Sequence, residues 1–401
     1  MSEHSILAPS DAARWSRCPG ALHLTRNIPE SDAEYSASGT CSHWILEQCL
    51  KTGADPKTWL GQTLTFGSYT FKIDKDRTER IRVVVNTIRR EPGQLWVEKQ
   101  IDTSAVLGVP GQMGHADAVK FDPEGAVLIN GTSCKGVLSV HDFKDGYNKV
   151  PARDNLQGLL YLAGAMYELD LVAPIQAARF CIHQPVVGHY DEWSYSRDEI
   201  EQFIALIQGP AQLAYAIYQG KVPFSAETHL VAGEEQCYWC PARGSCPARA
   251  RRIIGMFGDI VSKPEIDDEG LSKIYVRLDE IERACKDYRA EALKRALAGH
   301  TIDGQKLVQG KKGPRKWKDS TKAETSLSLL LPVEQIYEPR KLISPTEAED
   351  LLSKPDYEAL RSNIEQSPGS YSLAPISDKR PAVTVSQFPL VTPEQSSDSL
   401  I

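Results

Sequence analysis

Asp142 and Lys144 stand two residues apart in HDFKDG, at the end of a strand-like run, so both side chains point to one face. A hard divalent cation is held by carboxylate oxygens, and phosphodiester hydrolysis needs an activated water with a positive group beside it. Asp-x-Lys supplies a ligand and that positive group together. Asp117, upstream in GHADAV, adds a second carboxylate. Gln157 follows Lys144 by 13 residues and Tyr161 follows Gln157 by four, the spacing of one helix face from which both can reach one DNA strand. His43, in GTCSHWILE, falls in the first turn of a helix, a place for one imidazole ligand. Singly these signals are weak, since Asp-x-Lys is more often a surface ion pair and a lone histidine an ordinary polar side chain.

A second group is CYWCPARGSCP, residues 237–247, with Cys237, Cys240 and Cys246 in the spacing C-x2-C-x5-C. The chain has nine cysteines in 401 residues. The opening MSEHSILAPSD lacks the basic and apolar regions of a secretory signal, and the longest apolar stretch, near 159–166, is far short of the roughly 20 residues of a spanning helix. A cytoplasmic location and no membrane partner are therefore expected, and there closely spaced cysteines point to metal or redox chemistry rather than disulfides. A metal clip needs a further ligand. The net charge of −7 decides nothing about nucleic acid, because binding depends on local patches.

The elements that must position these residues can be read coarsely. Residues 8–52 and 76–91 read as helical; 95–101, 114–121, 126–130 and 137–144 as strands; 153–168 as a helix; 175–185 as a strand; and 198–220 as a long helix. This order predicts an α/β fold, a mixed sheet flanked by helices. Leu271, Ile274, Leu278, Ile281, Cys285 and Tyr288 recur at steps of three and four, one face of a long helix ending near Gly299, expected to be core or a helix-pairing surface. From 367 on the chain is rich in Pro and Ser without a period and reads as a mostly disordered tail.

The order Gly-Thr-x-x-His, Gly-x-x-Asp, Asp-x-Lys, Gln-x-x-x-Tyr resembles the RecB-type branch of the PD-(D/E)XK nucleases, with their restriction-endonuclease-like core. The resemblance implies that His43, Asp117 and Asp142 hold Mg²⁺ or Mn²⁺, that Lys144 assists the attacking water, and that Gln157 and Tyr161 contact substrate or order the site. One subgroup of that branch, including the AddB nuclease domain and the CRISPR-adaptation exonucleases, holds an iron–sulfur cluster on one cysteine before the histidine motif and three after Gln-x-x-x-Tyr. Cys18, in SRCPG, and Cys237, Cys240 and Cys246 match that layout. Four thiolates suit [4Fe–4S]; they also satisfy zinc, although a zinc ribbon normally presents two paired knuckles. Cys41, Cys49, Cys134, Cys181 and Cys285 lie outside the pattern and are expected to be buried or neutral.

The N-terminal LAPSDAARWSRCPGA and the end pieces GQKLVQGKKGPRKW, LISPTEAEDLL and SDKRPAV resemble an uncharacterised phage-encoded family that carries this nuclease core. The chain departs from it by His115 before Ala116-Asp117 and by about ten extra residues, including Asn130-Gly131, between Asp117 and the Asp-x-Lys strand. Three regions are expected: an iron–sulfur nuclease core over 1–255, a helical and basic extension over 256–366, and the tail over 367–401. Lys311, Lys312, Arg315 and Lys316 around Trp317, with Lys306, Lys318, Arg249, Arg251 and Arg252, can track phosphates while the indole stacks on a base; the bland alternative is a solvated basic loop. The expectation is a metal-dependent DNA exonuclease of phage recombination or DNA processing, acting in a bacterial host cell. Its implied partners are DNA and a phage single-strand annealing protein or recombinase. The rival is a catalytically inactive DNA- or partner-binding protein that keeps the fold and the cluster.

Overall fold

The computed structural model describes residues 5–29, 33–170, 172–261, 268–338, 341–375 and 378–383. The chain divides into two units, Met1–Ile281 and Glu282–Ile401. Within the first unit Arg252, in the helix Pro247–Val261, pairs with Glu280 of the long helix Asp268–Leu297 at 2.8 Å.

In chain order the first unit holds α1 (Ala12–Arg17), α2 (Ala21–Thr25) and α3 (Glu34–Thr52), then a hairpin of β1 (Thr63–Phe66) and β2 (Tyr69–Lys72) that the sequence reading missed. Next come α4 (Lys75–Arg90), β3 (Gln94–Asp102), α5 (Ser104–Leu107), β4 (Met113–Ile129), β5 (Thr132–Phe143), α6 (Leu156–Leu169), β6 (Ala177–Gln184), β7 (His189–Ser196) and α7 (Arg197–Tyr218). The sheet order is β3-β4-β5-β6-β7. Only β5 and β6 pair in parallel, and α6 is the crossover that a parallel pair requires. The result is a mixed α/β fold.

Each face of the sheet has its own core. Leu138, Val140, Phe180 and Ile182 pack with Leu159, Leu160 and Ala163 of α6 and Ile207 and Ala214 of α7. On the other side Phe143 and Ala118 meet Ile45 and Leu46 of α3 and Ile81, Val84, Val85 and Ile88 of α4. The approach of α6 to β6 is close enough that a Cβ on Gly158 would stand 2.4 Å from the Phe180 ring, so only glycine fits there.

The expected strands at 114–121 and 126–130 are one strand, β4, with a register shift between Asp122 and Ala126. Asn130 and Gly131 close the β4–β5 hairpin at φ 50° and 82°, the positive values a two-residue turn requires. The extra residues therefore lengthen the far end of the hairpin. At the near end the register closes at Ala118↔His141, leaving Asp117 and Asp142 side by side just beyond the last pair.

In the second unit Gln305–Gln309 pairs antiparallel with Tyr371–Pro375, and Lys316–Trp317 with Ile364–Glu365. The segment expected to be a tail from 367 thus begins with a strand, held by backbone pairing that side-chain periodicity does not reveal; residues 384–401 of that tail lie outside the described residues. Asp268–Leu297 carries the apolar stripe, but Leu271 is 55% exposed and Cys285 is exposed, so the stripe is not core along its length. No helix among the described residues is long and apolar enough to cross a membrane.

A polar layer is buried between α4 and the sheet. His141 Nδ1 meets His183 Nε2 at 3.0 Å, and His141 Nε2 stands 3.0 Å from Glu91, which also accepts from Ser139 and Arg179. Burial and the neighbouring His141 push His183 down to about 3, so it stays neutral in the folded chain. A depressed histidine contributes stability that is complete above its unfolded value near 6.5 and is lost as pH falls toward 3. Between pH 7.5 and 5 the protein should lose about 2 kcal/mol relative to His183→Gln, read as the difference of the two denaturation curves. Parallel curves over that interval would show that His183 titrates normally.

Candidate functional site

Five elements of the first unit converge on one open pocket of about 430 Å³, lined by Gly39, Thr40 and His43 of α3, Glu98 of β3, His115 and Asp117 of β4, Asp142 of β5 with Lys144 just past its end, and Gln157 of α6. The sheet register ends at Ala118↔His141, one residue short of Asp117 and Asp142, which share the pocket. The Asn155 side chain caps α6 by accepting the Gly158 amide at 3.1 Å and so fixes where Gln157 enters. Gly114 leaves room for Tyr161: a Cβ there would lie 2.5 Å from its ring.

The charges are tightly interlocked. His43 Nδ1 lies 2.9 Å from Asp117 Oδ1 and donates to it, while Asp117 Oδ2 accepts the Phe143 amide at 2.7 Å. Burial opposes the charge on Asp117, yet His43 and that amide hold its carboxyl below the usual range. Burial also opposes the charge on His43, but Asp117 raises it to about 9. Asp142 behaves in the opposite way. Burial raises its carboxyl, opposed by Lys144, and the Asp117 charge raises it further. Lys144 Nζ stands 2.9 Å from Asp142 Oδ2 without aligned hydrogen-bond geometry and donates to Gln157 Oε1 at 3.2 Å; Gln157 Nε2 donates to the Tyr161 hydroxyl at 3.4 Å. Burial disfavours the ammonium, but Asp142 keeps its affinity for the proton above the ordinary lysine range.

Glu98 is the residue that sequence reasoning missed. It sits in β3 between the pairs Val97↔Ala118 and Lys99↔Ala116, hence across from Asp117, and it holds φ at 50°, a strained value for a residue with a side chain. Burial, then the charges of Asp117 and Glu47, push its carboxyl up to about 7. A charged side chain between Trp96-Val97 and Ile101 was the available signal; its register with Asp117 was not visible.

Glu98, Asp117 and Asp142 therefore put three carboxylates in a pocket whose cations do not fully offset them, an oxygen-rich donor set that fits a hard divalent cation. Among the described residues no three His, Cys, Asp or Glu side chains already stand in metal-binding geometry; in this pocket His43 and Lys144 contact Asp117 and Asp142. Binding a cation would displace those contacts.

The cysteines are brought together from distant positions. The Gly20 amide donates to His229 O at 2.8 Å, and the Val231 amide donates to Cys18 Sγ at 3.3 Å, docking Cys18 where it packs with Cys246, Ala248 and Leu230. Burial raises the Cys18 thiol to about 11, with contributions from Cys240, Cys246 and Cys237; burial likewise raises Cys237 and Cys240, each sensing its neighbours. Cys237 Sγ accepts the Gly233 amide at 3.5 Å. The four thiols sense one another's charge, but among the described residues no three of them stand in metal-binding geometry; a soft metal or an iron–sulfur cluster would have to draw them together and would release their protons. Of the remaining cysteines, Cys41, Cys49, Cys134 and Cys181 are buried.

Two members of the basic stretch have partners within the second unit. Trp317, expected to stack on a base, packs against Leu327, Ile336, Ile343, Ala348 and Leu360, and its Nε1 donates to Ile343 O at 2.9 Å. Arg315 pairs with Glu349 and donates to the Tyr357 hydroxyl. Trp317 thus packs on the second unit's own core, while Arg315 is half-buried in an ion pair at its surface. Lys311, Lys312 and Lys316 are exposed. Upstream, Arg249 is buried and donates to Arg243 O at 2.7 Å, so it is not presented to a phosphate, whereas Arg252 is exposed and paired with Glu280. Trp317→Ala should accordingly cost the second unit about 2–3 kcal/mol, below the range of a fully buried tryptophan, as read by its melting transition. An unchanged melt accompanied by weaker DNA binding would restore the stacking role.

Comparison with known proteins gives one family and distant structural matches. The model of a family described as "Protein of unknown function (DUF2800)" matches residues 4–381. Among solved structures, SSO0001 is 14% identical, with a TM-score of 0.29 over 62% of this chain and 89% of that one. A protein from Eubacterium rectale described as a "Putative exonuclease" is 9% identical, with a TM-score of 0.29 over 57% of this chain and 90% of that one.

Proposed function

The chain belongs to that family of unknown function, so its activity must be read from its own site, and we propose that it is a divalent-metal-dependent DNA exonuclease of the PD-(D/E)XK, RecB-like type with a cysteine-held [4Fe–4S] cluster. The observation that carries the reading is the single pocket shared by His43, Glu98, Asp117, Asp142, Lys144 and Gln157. Support also comes from the element order around it: helix, three antiparallel strands, crossover helix, parallel strand.

Bound Mg²⁺ or Mn²⁺ would stabilise charge on the phosphate and lower the pKa of an attacking water. Asp117 and Asp142 would hold it, with His43 and Glu98 beside them. Lys144 sets its ammonium against charge that develops on the water or the phosphate. Gln157 orients that ammonium, and Tyr161 steadies Gln157 through its hydroxyl. The direct test is anaerobically purified protein on end-labelled DNA with Mn²⁺ or Mg²⁺. Release of nucleotides from an end only with the cation supports the proposal; DNA bound but never cut would favour the inactive binding protein.

A further inference from the structure

We propose that the turn leaving the pocket and the cysteine loop beside it form a stacking platform for a single DNA strand, with Tyr147 and Trp239 as its two aromatic faces. This deepens, and rests on, the nuclease reading of the neighbouring pocket. The chain leaves that pocket at Lys144, whose amide donates to His183 O at 2.8 Å, and enters the turn at once. The turn is pinned from below by Gln184, a buried residue whose Nε2 donates to Gly146 O at 2.6 Å and Asn148 O at 2.8 Å and whose Oε1 accepts the Val150 amide at 3.1 Å. On this fixed backbone Tyr147 is 79% exposed.

The same turn is tied to the cysteine segment, because Asn148 Nδ2 donates to the Tyr238 hydroxyl at 3.1 Å. Tyr238 in turn meets Trp239 edge-on at 4.8 Å between ring centroids, and Trp239 is 62% exposed. Lys149 is exposed in the turn, and the exposed Arg153 lies over the Trp193 ring at 4.4 Å. Large aromatic faces presented to water from a pinned backbone and beside cations match what an unpaired strand offers, base faces and phosphates in alternation. A duplex hides its base faces inside the helix. The single strand is therefore the occupant this surface fits, and its continuity with Lys144 would lead a strand end to the carboxylates.

The test uses the full chain without added divalent cation, titrating a fluorescein-labelled oligothymidylate and a duplex of equal length. Tyr147→Ala with Trp239→Ala should weaken the single strand at least about tenfold and the duplex less than about threefold, whereas Tyr147→Phe with Trp239→Phe should keep both within about threefold. Unchanged single-strand affinity in the alanine variant, or equal losses on both DNAs, would overturn the platform. Cleavage by the wild type with Mg²⁺ or Mn²⁺ is scored separately. Cutting with unchanged binding in the alanine variant sinks the platform alone, and selective binding without cutting sinks the nuclease reading alone.

Discussion

Asp142→Ala is expected to lower metal-dependent DNA cleavage by about a thousandfold or more, the scale of removing a group that holds a catalytic cation or stabilises a transition state. The reason lies in the pocket. Asp142 is buried beside Asp117, and its charge is balanced there chiefly by Lys144, with a smaller contribution from His43. Removing it should weaken cation binding, measured by titration of Mn²⁺, while DNA binding is kept or tightened because a negative charge near the phosphates is gone. Lys144→Ala should also stop cleavage yet leave Mn²⁺ affinity within about threefold, since the ammonium competes for Asp142 rather than holding the ion. The two variants thus separate on metal binding while agreeing on activity. Wild-type digestion by Asp142→Ala would place the active carboxylate elsewhere, with Glu98 next in line.

The second large effect concerns the cysteines. Cys18→Ser or Cys240→Ser is expected to bleach the broad charge-transfer absorbance of anaerobically purified protein and to leave the chain poorly soluble. Cys18 is docked beside Leu230 and Cys246, more than 200 residues away in sequence, so a cluster there would hold both ends of the first unit. Metal-binding energy at such a site is folding energy, on the order of 10 kcal/mol for structural metal sites. Without a bound metal, burial keeps these thiols protonated, which is a weak substitute. Colourless wild-type protein with stoichiometric zinc would replace the iron–sulfur assignment by the zinc one. The pocket carboxylates are separate ligands, so Asp142→Ala should retain the full absorbance, and loss of colour there would contradict independent sites.

Several parts of the fold were legible because their signals are local. The boundaries of α4, expected at 76–91 and found at Lys75–Arg90, follow from apolar spacing and from Asp74 as a cap. The pairing of Gln157 with Tyr161 on one helix face follows from the four-residue step alone. By contrast β7, HYDEWSYS, has its aromatic and charged residues on an edge strand, where apolar alternation is weak. The hairpin β1–β2 is short, and its half-exposed pattern carries as little contrast.

The sequence by itself determined the donor chemistry: which residues carry carboxylate, imidazole, amine and thiol, and the parity that puts Asp142 and Lys144 on one side of a strand. Tertiary structure alone decided which of these meet. Glu98 enters the pocket because β3 pairs with β4 in one register, and shifting that pairing by one residue would turn it away. Trp317 packs on a core that forms only when residues 327–360 fold against it, and Arg315 meets Glu349 only in that same folded arrangement, partners that composition does not reveal. Local periodicity is written in neighbours a few residues apart, whereas register and burial depend on partners tens to hundreds of residues away, and only the closed chain fixes those.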